Sequence, residues 1–90
     1  MVVLFKIMAK IFKIRDIQSG LFQDGGVHKV GFVTEPVWSQ EGKKWKKISD
    51  VKSQLFLLQK SKVVISPFWE VVEYDGEETA YSVVALLSSK

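Results

Sequence analysis

The chain contains no cysteine and a single histidine among its 90 residues. The absence of cysteine excludes disulfide bonds, thiolate zinc sites and a cysteine nucleophile, and it fits a reducing compartment. Nucleophilic catalysis needs a base beside the nucleophile, and His28 lies in a glycine-rich stretch where no motif marks a serine. A histidine in such a loop is usually a surface residue. We therefore predict a protein without enzymatic activity and without a cofactor.

Motifs for phosphate and metal binding are also missing. Asp24-Gly25-Gly26 is not followed by Gly-Lys-Ser/Thr and is more typical of a turn. Carboxylates crowd the last third of the chain, but their spacing matches no calcium or magnesium loop, and acidic hairpin tips are usually solvated. These carboxylates belong to Glu70, Glu73, Asp75, Glu77 and Glu78. We expect no metal site.

Long hydrophobic runs are scarce as well. The most apolar stretch, residues 2–14, is interrupted by Lys6, Lys10 and Lys13, and no small-residue cleavage site follows it. We therefore predict a soluble, unprocessed protein that does not bind membranes. Met8 offers a second start, so residues 1–8 are interpreted as an extension or an extra strand.

What the chain does have is enough apolar material for one small core. Its length corresponds to one domain over residues 1–90, and 47% of the residues are hydrophobic. The net charge of +3 conceals an asymmetry, because residues 1–62 carry a balance of +7 and residues 63–90 a balance of −4. Such a distribution either steers a partner or pairs two copies, or the two segments neutralise each other across the fold.

The first third of the chain predicts a β-hairpin. Residues 12–15 alternate as a half-buried strand does, although the lysine spacing over residues 3–14 also allows a helix, and we choose a strand for residues 9–16. Ser19-Gly20 supplies the turn, and Leu21-Phe22-Gln23 is the returning strand, which Asp24-Gly25-Gly26 ends.

Residues 27–44 contain Gly31, Pro36 and Gly42 among scattered apolar positions. This pattern predicts a long excursion with short extended pieces. We expect Trp38 and Trp45 to hold it against the core.

A helix is predicted over residues 49–60. The Ser49 hydroxyl is expected to cap its first turn, where Asp50 suits the helix dipole. One apolar stripe then follows at helical spacing. The stripe consists of Ile48, Val51, Leu55 and Leu58.

After Pro67, residues 69–74 predict a strand, Asp75-Gly76 predicts a hairpin turn, and residues 77–87 are expected to return. A two-residue loop places Glu73 opposite Glu78, so the repulsion favours a longer loop or a cation at this point. The predicted fold is α+β, a small antiparallel sheet of two hairpins packed against one helix.

The segment Lys43-Lys44-Trp45-Lys46-Lys47 is the strongest functional signal. Its ammonium groups can neutralise phosphates, and an aromatic ring among them can stack on an unpaired base. In a strand, however, Lys44 and Lys46 share one face while Trp45 points into the core, and this arrangement is the commoner one. Both interpretations remain open at this stage.

Short motifs punctuated by glycine and tryptophan run through residues 10–75. They are Lys13-Ile14-Arg15-Asp16, Ser19-Gly20-Leu21-Phe22, Gly25-Gly26, Trp38-Ser39, Gly42-Lys43, Trp45 and Val51-Lys52-Ser53-Gln54-Leu55. In this order they resemble a group of small tailed-bacteriophage proteins. Such proteins often carry His-Leu where this chain has Gln54-Leu55, so the resemblance gives that polar position no role. It implies a phage origin and no particular activity or site residue.

We predict a small non-catalytic, phage-type accessory protein that binds a host or phage protein in the cytoplasm of an infected bacterium. This step is an analogy with small phage proteins that occupy a surface of the host machinery. The predicted binding residues are Trp38, Lys43, Lys44, Trp45, Lys46 and Lys47. The alternative is a nucleic-acid-binding module that uses Trp45 and the lysines on either side of it. Exposed strand edges also allow a homodimer.

Overall fold

The computed structural model describes residues 10–88, so the extension proposed for residues 1–8 lies outside the described part. The elements are β1 (Ile11–Asp16), β2 (Phe22–Val30), β3 (Val33–Ser39), α1 (Ile48–Lys60), β4 (Trp69–Tyr74), β5 (Glu78–Ser82) and α2 (Val83–Ser88). The five strands form one antiparallel sheet in the order β3-β2-β1-β4-β5. Helix α1 therefore carries the chain from the edge strand β3 back to the centre, where β4 pairs with β1. The predicted α+β class is confirmed.

Alternation along β1 and β4 decides which face of the sheet is covered. Phe12 and Ile14 are buried, and β1 places Ile14 opposite the buried Val71 of β4. The helices pack on this face of the sheet, and the core includes residues from both layers. The buried cluster consists of Phe12, Ile14, Trp45, Val51, Leu55, Leu58, Val63, Trp69, Val71 and Val83.

Helix α1 follows the predicted apolar stripe. Val51, Leu55 and Leu58 are fully buried, and the helix ends at Lys60 as expected. The predicted start is wrong by one residue, and the predicted cap is absent. Lys47 is the N-cap, with extended backbone and no side-chain cap hydrogen bond. Its carbonyl already accepts a hydrogen bond from the N–H of Asp50, so the first turn begins before Ser49.

The predicted break at Asp24-Gly25-Gly26 is a β-bulge. Gln23 pairs with Trp38 and Val27 pairs with Pro36, so β2 uses two more residues than β3 between these pairs. The strand then continues to Val30, and the predicted excursion over residues 27–44 is wrong for residues 27–39. These residues form the β2–β3 hairpin and β3 itself.

A two-residue turn closes this hairpin. Gly31 has φ +66° at the first central position, as a type II′ turn requires. Val30 and Val33 therefore form the hydrogen-bonded pair next to the turn, and pairs alternate from there along the ladder. Pro36 falls in a pair without hydrogen bonds, so the N–H that it lacks is on the free edge, where proline is tolerated.

The second hairpin is shorter than predicted. Tyr74 pairs with Glu78, which makes the loop three residues long and places Glu73 opposite Thr79 instead of a carboxylate. The returning strand ends at Ser82, because the Ser82 hydroxyl accepts a hydrogen bond from the N–H of Ala85 and starts α2. Between residues 10 and 88, neither helix has the length and apolar character needed to cross a membrane.

Candidate binding surface

Trp45 lies in the core and completes the sheet beside β1. Strand β2 pairs with β1 only at Phe22, and beyond that point the segment around Trp45 takes its place. The N–H of Phe12 donates to the carbonyl of Trp45 at 2.7 Å, and the N–H of Trp45 donates back at 2.9 Å. With 7% of its surface exposed, the indole offers no free face to an unpaired base. A nucleic-acid role would therefore depend on the neighbouring lysines alone.

The four lysines of this segment, Lys43, Lys44, Lys46 and Lys47, are exposed. Lys43 is the best fixed of them, because its N–H donates to the Gln23 carbonyl at 2.8 Å and its ammonium lies 5.9 Å from the centre of the Trp45 ring. Within residues 10–88, none of the four forms an ion pair. They are a row of unneutralised charges on a segment that the sheet holds in place.

Trp38 is half-buried and belongs to the margin of the core. Its ring meets that of Trp69 edge to face, with the ring centres 5.4 Å apart. The chain after Trp38 turns sharply at Gly42, whose φ is +72° and where an added Cβ would lie 2.3 Å from Cβ of Phe22. The predicted residues within 38–47 thus belong to a segment packed on the sheet. Among them the four lysines are exposed, whereas Trp45 is buried and Trp38 is half-buried.

The most exposed apolar surface lies elsewhere, on the distal part of the β2–β3 hairpin. We call residues 27–36 the arm. Every residue from 26 to 33 is exposed, and the Phe32 side chain at the tip is fully so. Val27, Val30 and Val33 are each about half exposed, at 47%, 57% and 56%. The arm was not predicted, because Gly31 and Pro36 indicated a long excursion with short extended pieces instead of a continuous hairpin.

A groove of about 820 Å³ separates the arm from the chain that follows α1. We call it the arm groove. Its lining residues are Val27, His28, Lys29, Phe32, Val33, Thr34, Ser61, Lys62 and Val64. A smaller cavity of about 390 Å³ adjoins it beneath β3 and extends to Trp38 and Trp69. Val33, Thr34, Lys62 and Val64 line both spaces, which are therefore neighbours.

Lys62, on the far wall of the arm groove, has a left-handed backbone conformation. Its φ is +68°, and among residues 10–88 it is the only non-glycine residue with positive φ. The N–H of Lys62 donates to the Gln59 carbonyl at 3.0 Å, and that of Val63 donates to the Leu58 carbonyl at 2.9 Å. This pair of bonds is a Schellman motif, whose left-handed position is usually glycine. A lysine there costs about 1 kcal/mol.

The acidic residues of the second hairpin are held by a cation from β1. Arg15 Nε donates to a carboxylate oxygen of Glu70 at 2.6 Å, and its Nη2 donates to Glu78 at 3.1 Å. Partial burial opposes the charge of Arg15, but the two carboxylates outweigh it and raise the pKa of the guanidinium. Of the two predicted alternatives, the longer loop already separates Glu73 from Glu78, and Arg15 pairs with Glu70 and Glu78 instead of with the predicted pair.

The single histidine pairs with a different carboxylate, that of Glu35. His28 lies on the exposed arm, with Nε2 3.5 Å from a carboxylate oxygen of Glu35 on the opposite strand. In the part of the chain that the structure describes, no group of three or more His, Asp or Glu side chains could hold a metal ion. Gln23 is fully buried, and its amide atoms have no hydrogen-bond partner among residues 10–88, but it lines neither the arm groove nor the smaller cavity.

Comparisons with protein-family models, curated proteins and solved structures found no match to this chain.

Proposed function

We propose that this protein acts by binding another protein through the arm and the arm groove. The observation that carries the proposal is the arm itself, a hairpin with apolar side chains on both faces and solvent around both. Burying one such side chain in a partner is worth about 2 kcal/mol, so Phe32 and its neighbouring valines can supply the centre of an interface. Exposed apolar patches of this kind mark interaction sites.

The geometry favours docking by side chains over addition of a strand. β3 is an edge strand, but Pro36 interrupts the row of donors on its free edge. A partner therefore gains more from the apolar tip and the groove than from the backbone. The resemblance to tailed-phage proteins adds that the partner is a host or phage protein in the cytoplasm of an infected bacterium.

Replacement of Phe32 tests this proposal. The tagged wild-type chain and Phe32→Asp are compared in pull-downs from a bacterial lysate, and we expect the aspartate variant to lose the specific partner. Phe56→Asp is the matched control, since Phe56 is also an exposed phenylalanine, at 51%, but lies on α1, away from the arm groove. Equal recovery with Phe32→Asp and the wild type, or equal loss with both variants, would contradict a role of the arm.

The row of exposed lysines at residues 43–47 supports a second candidate, binding of nucleic-acid phosphates. Their charges are free of ion pairs within residues 10–88, and phosphate-driven binding falls steeply between about 50 and 200 mM salt. A gel shift with single- and double-stranded DNA and RNA tests it, with Lys44→Glu/Lys46→Glu as the charge-reversed variant. No retardation at low salt would end this candidate.

A further inference from the structure

We infer that the arm groove receives an apolar protein segment that carries a carboxylate, and that Lys29 and Lys62 recognise the carboxylate. This inference rests on the proposed function and names the chemistry of its partner. Three features of the groove lead to it: the charge of its lining, the backbone conformation of Lys62 and the apolar surfaces between the two lysines.

Among residues 10–88, the lining of the arm groove is cationic and contains no carboxylate. Lys29 comes from β2 on the arm, and Lys62 comes from the segment after α1, so the two charges belong to opposite walls. Neither forms an ion pair with a residue of the described range 10–88. The adjoining smaller cavity differs, because Asp16 and Glu35 line it beside Lys62. Among residues 10–88, the arm groove is thus the space whose lysines have no carboxylate beside them in the lining.

Lys62 adds an independent indication. Glycine would satisfy the Schellman motif without strain, yet the chain places a lysine in the left-handed conformation at this point. Backbone strain that persists in a protein is concentrated at binding and catalytic sites. The strained residue here lines the groove, and its side chain supplies one of the two unpaired cations.

Apolar surface completes the site. Val27 and Phe32 lie on the arm side and Val64 on the opposite side, and Val64 is 84% exposed. A purely anionic ligand would leave these side chains uncovered, and a purely apolar one would leave two ammonium groups without a partner in a partly dehydrated groove. A segment with apolar side chains beside an Asp or Glu satisfies both requirements.

Selection from a displayed library of random peptides tests the inference, with the folded wild-type chain as bait. We expect the selected peptides to be enriched in Asp or Glu beside large apolar residues. In fluorescence anisotropy, Lys29→Glu/Lys62→Glu should weaken their binding by at least about tenfold. Lys44→Glu/Lys46→Glu changes the net charge by the same amount outside the groove and should have little effect. Circular dichroism checks that each variant is folded.

The outcomes separate the inference from the proposed function. Peptides without carboxylate enrichment, or equal losses in both charge-reversed variants, overturn the inference. If selected peptides without this enrichment bind the wild type but not Phe32→Asp, the arm remains a protein-binding surface with a different preference. A library that yields no binder dependent on Phe32 contradicts both.

Self-association is measured on the same proteins by light scattering after size exclusion. A dimer that Phe32→Asp dissociates would assign the groove to a second copy of the chain and overturn the inference.

Discussion

The left-handed backbone of Lys62 leads to a quantitative prediction, that Lys62→Gly stabilises the protein. The strain of a side chain at φ +68° is about 1 kcal/mol, and glycine removes it. Glycine also makes the unfolded chain more flexible, and this lowers the gain in stability by about 0.5 kcal/mol. Lys62 is exposed and forms no ion pair with residues 10–88, so the loss of its side chain costs little. We expect the free energy of unfolding to rise by about 0.5 kcal/mol.

Urea unfolding followed by tryptophan fluorescence measures this change. With a slope of about 1 kcal/mol per molar urea for a chain of this size, the midpoint should rise by about 0.5 M. Lys62→Ala is the matched control, because alanine removes the ammonium but keeps the Cβ that causes the strain. It should unfold near the wild-type midpoint. If Lys62→Gly is no more stable than Lys62→Ala, the strain argument is refuted.

The other predictions concern the core, a close contact and the tyrosines. Trp45→Ala should lower the free energy of unfolding by about 3–5 kcal/mol in chemical denaturation, because it empties a buried site; a loss below about 1 kcal/mol would contradict a core role. Gly42→Ala should destabilise more than Gly20→Ala, since both have positive φ but only Gly42 would bring a Cβ against Phe22, and equal losses would rule out that contact. Burial and nearby carboxylates raise the pKa of Tyr74 and Tyr81, the chain's two tyrosines, so stability should be full below about pH 10 and fall as pH rises through the folded-state pKa. Tyrosinate absorbance should titrate at higher pH in the folded than in the urea-unfolded chain, and coincident curves would contradict this.

Regular periodicity made much of the fold predictable. The stripe from Val51 to Leu58 was predicted from its spacing, because the helix buries one face, and the strand Trp69–Tyr74 was predicted as the segment between Pro67 and the Asp75-Gly76 turn. The bulge in β2 was not predicted, because Asp24-Gly25-Gly26 is equally compatible with a bulge and with a turn. What distinguishes the two is whether pairing resumes afterwards. That depends on Val27 meeting Pro36, a contact the local pattern does not contain.

The candidate surface was predicted only in part. The exposure of the lysines at residues 43–47 followed from their charge, but the orientation of Trp45 depended on its pairing with Phe12. The arm escaped prediction for a geometric reason. A helix about 10 Å wide covers roughly two strands spaced about 4.8 Å apart. With α1 packed over the centre of the sheet, the distal ends of β2 and β3 are covered by neither helix of the described range 10–88.

The bulge in β2 also has a consequence for how this hairpin could diversify. It contains two extra residues, an even number, so the side chains of Val27 and Lys29 stay on the face that they would occupy in a regular strand. Bulges bend a strand and increase its twist. Insertion or deletion of residue pairs at Gly25-Gly26 would therefore change the direction in which the tip of the hairpin points. The side chains of the tip would stay on the same faces of the hairpin.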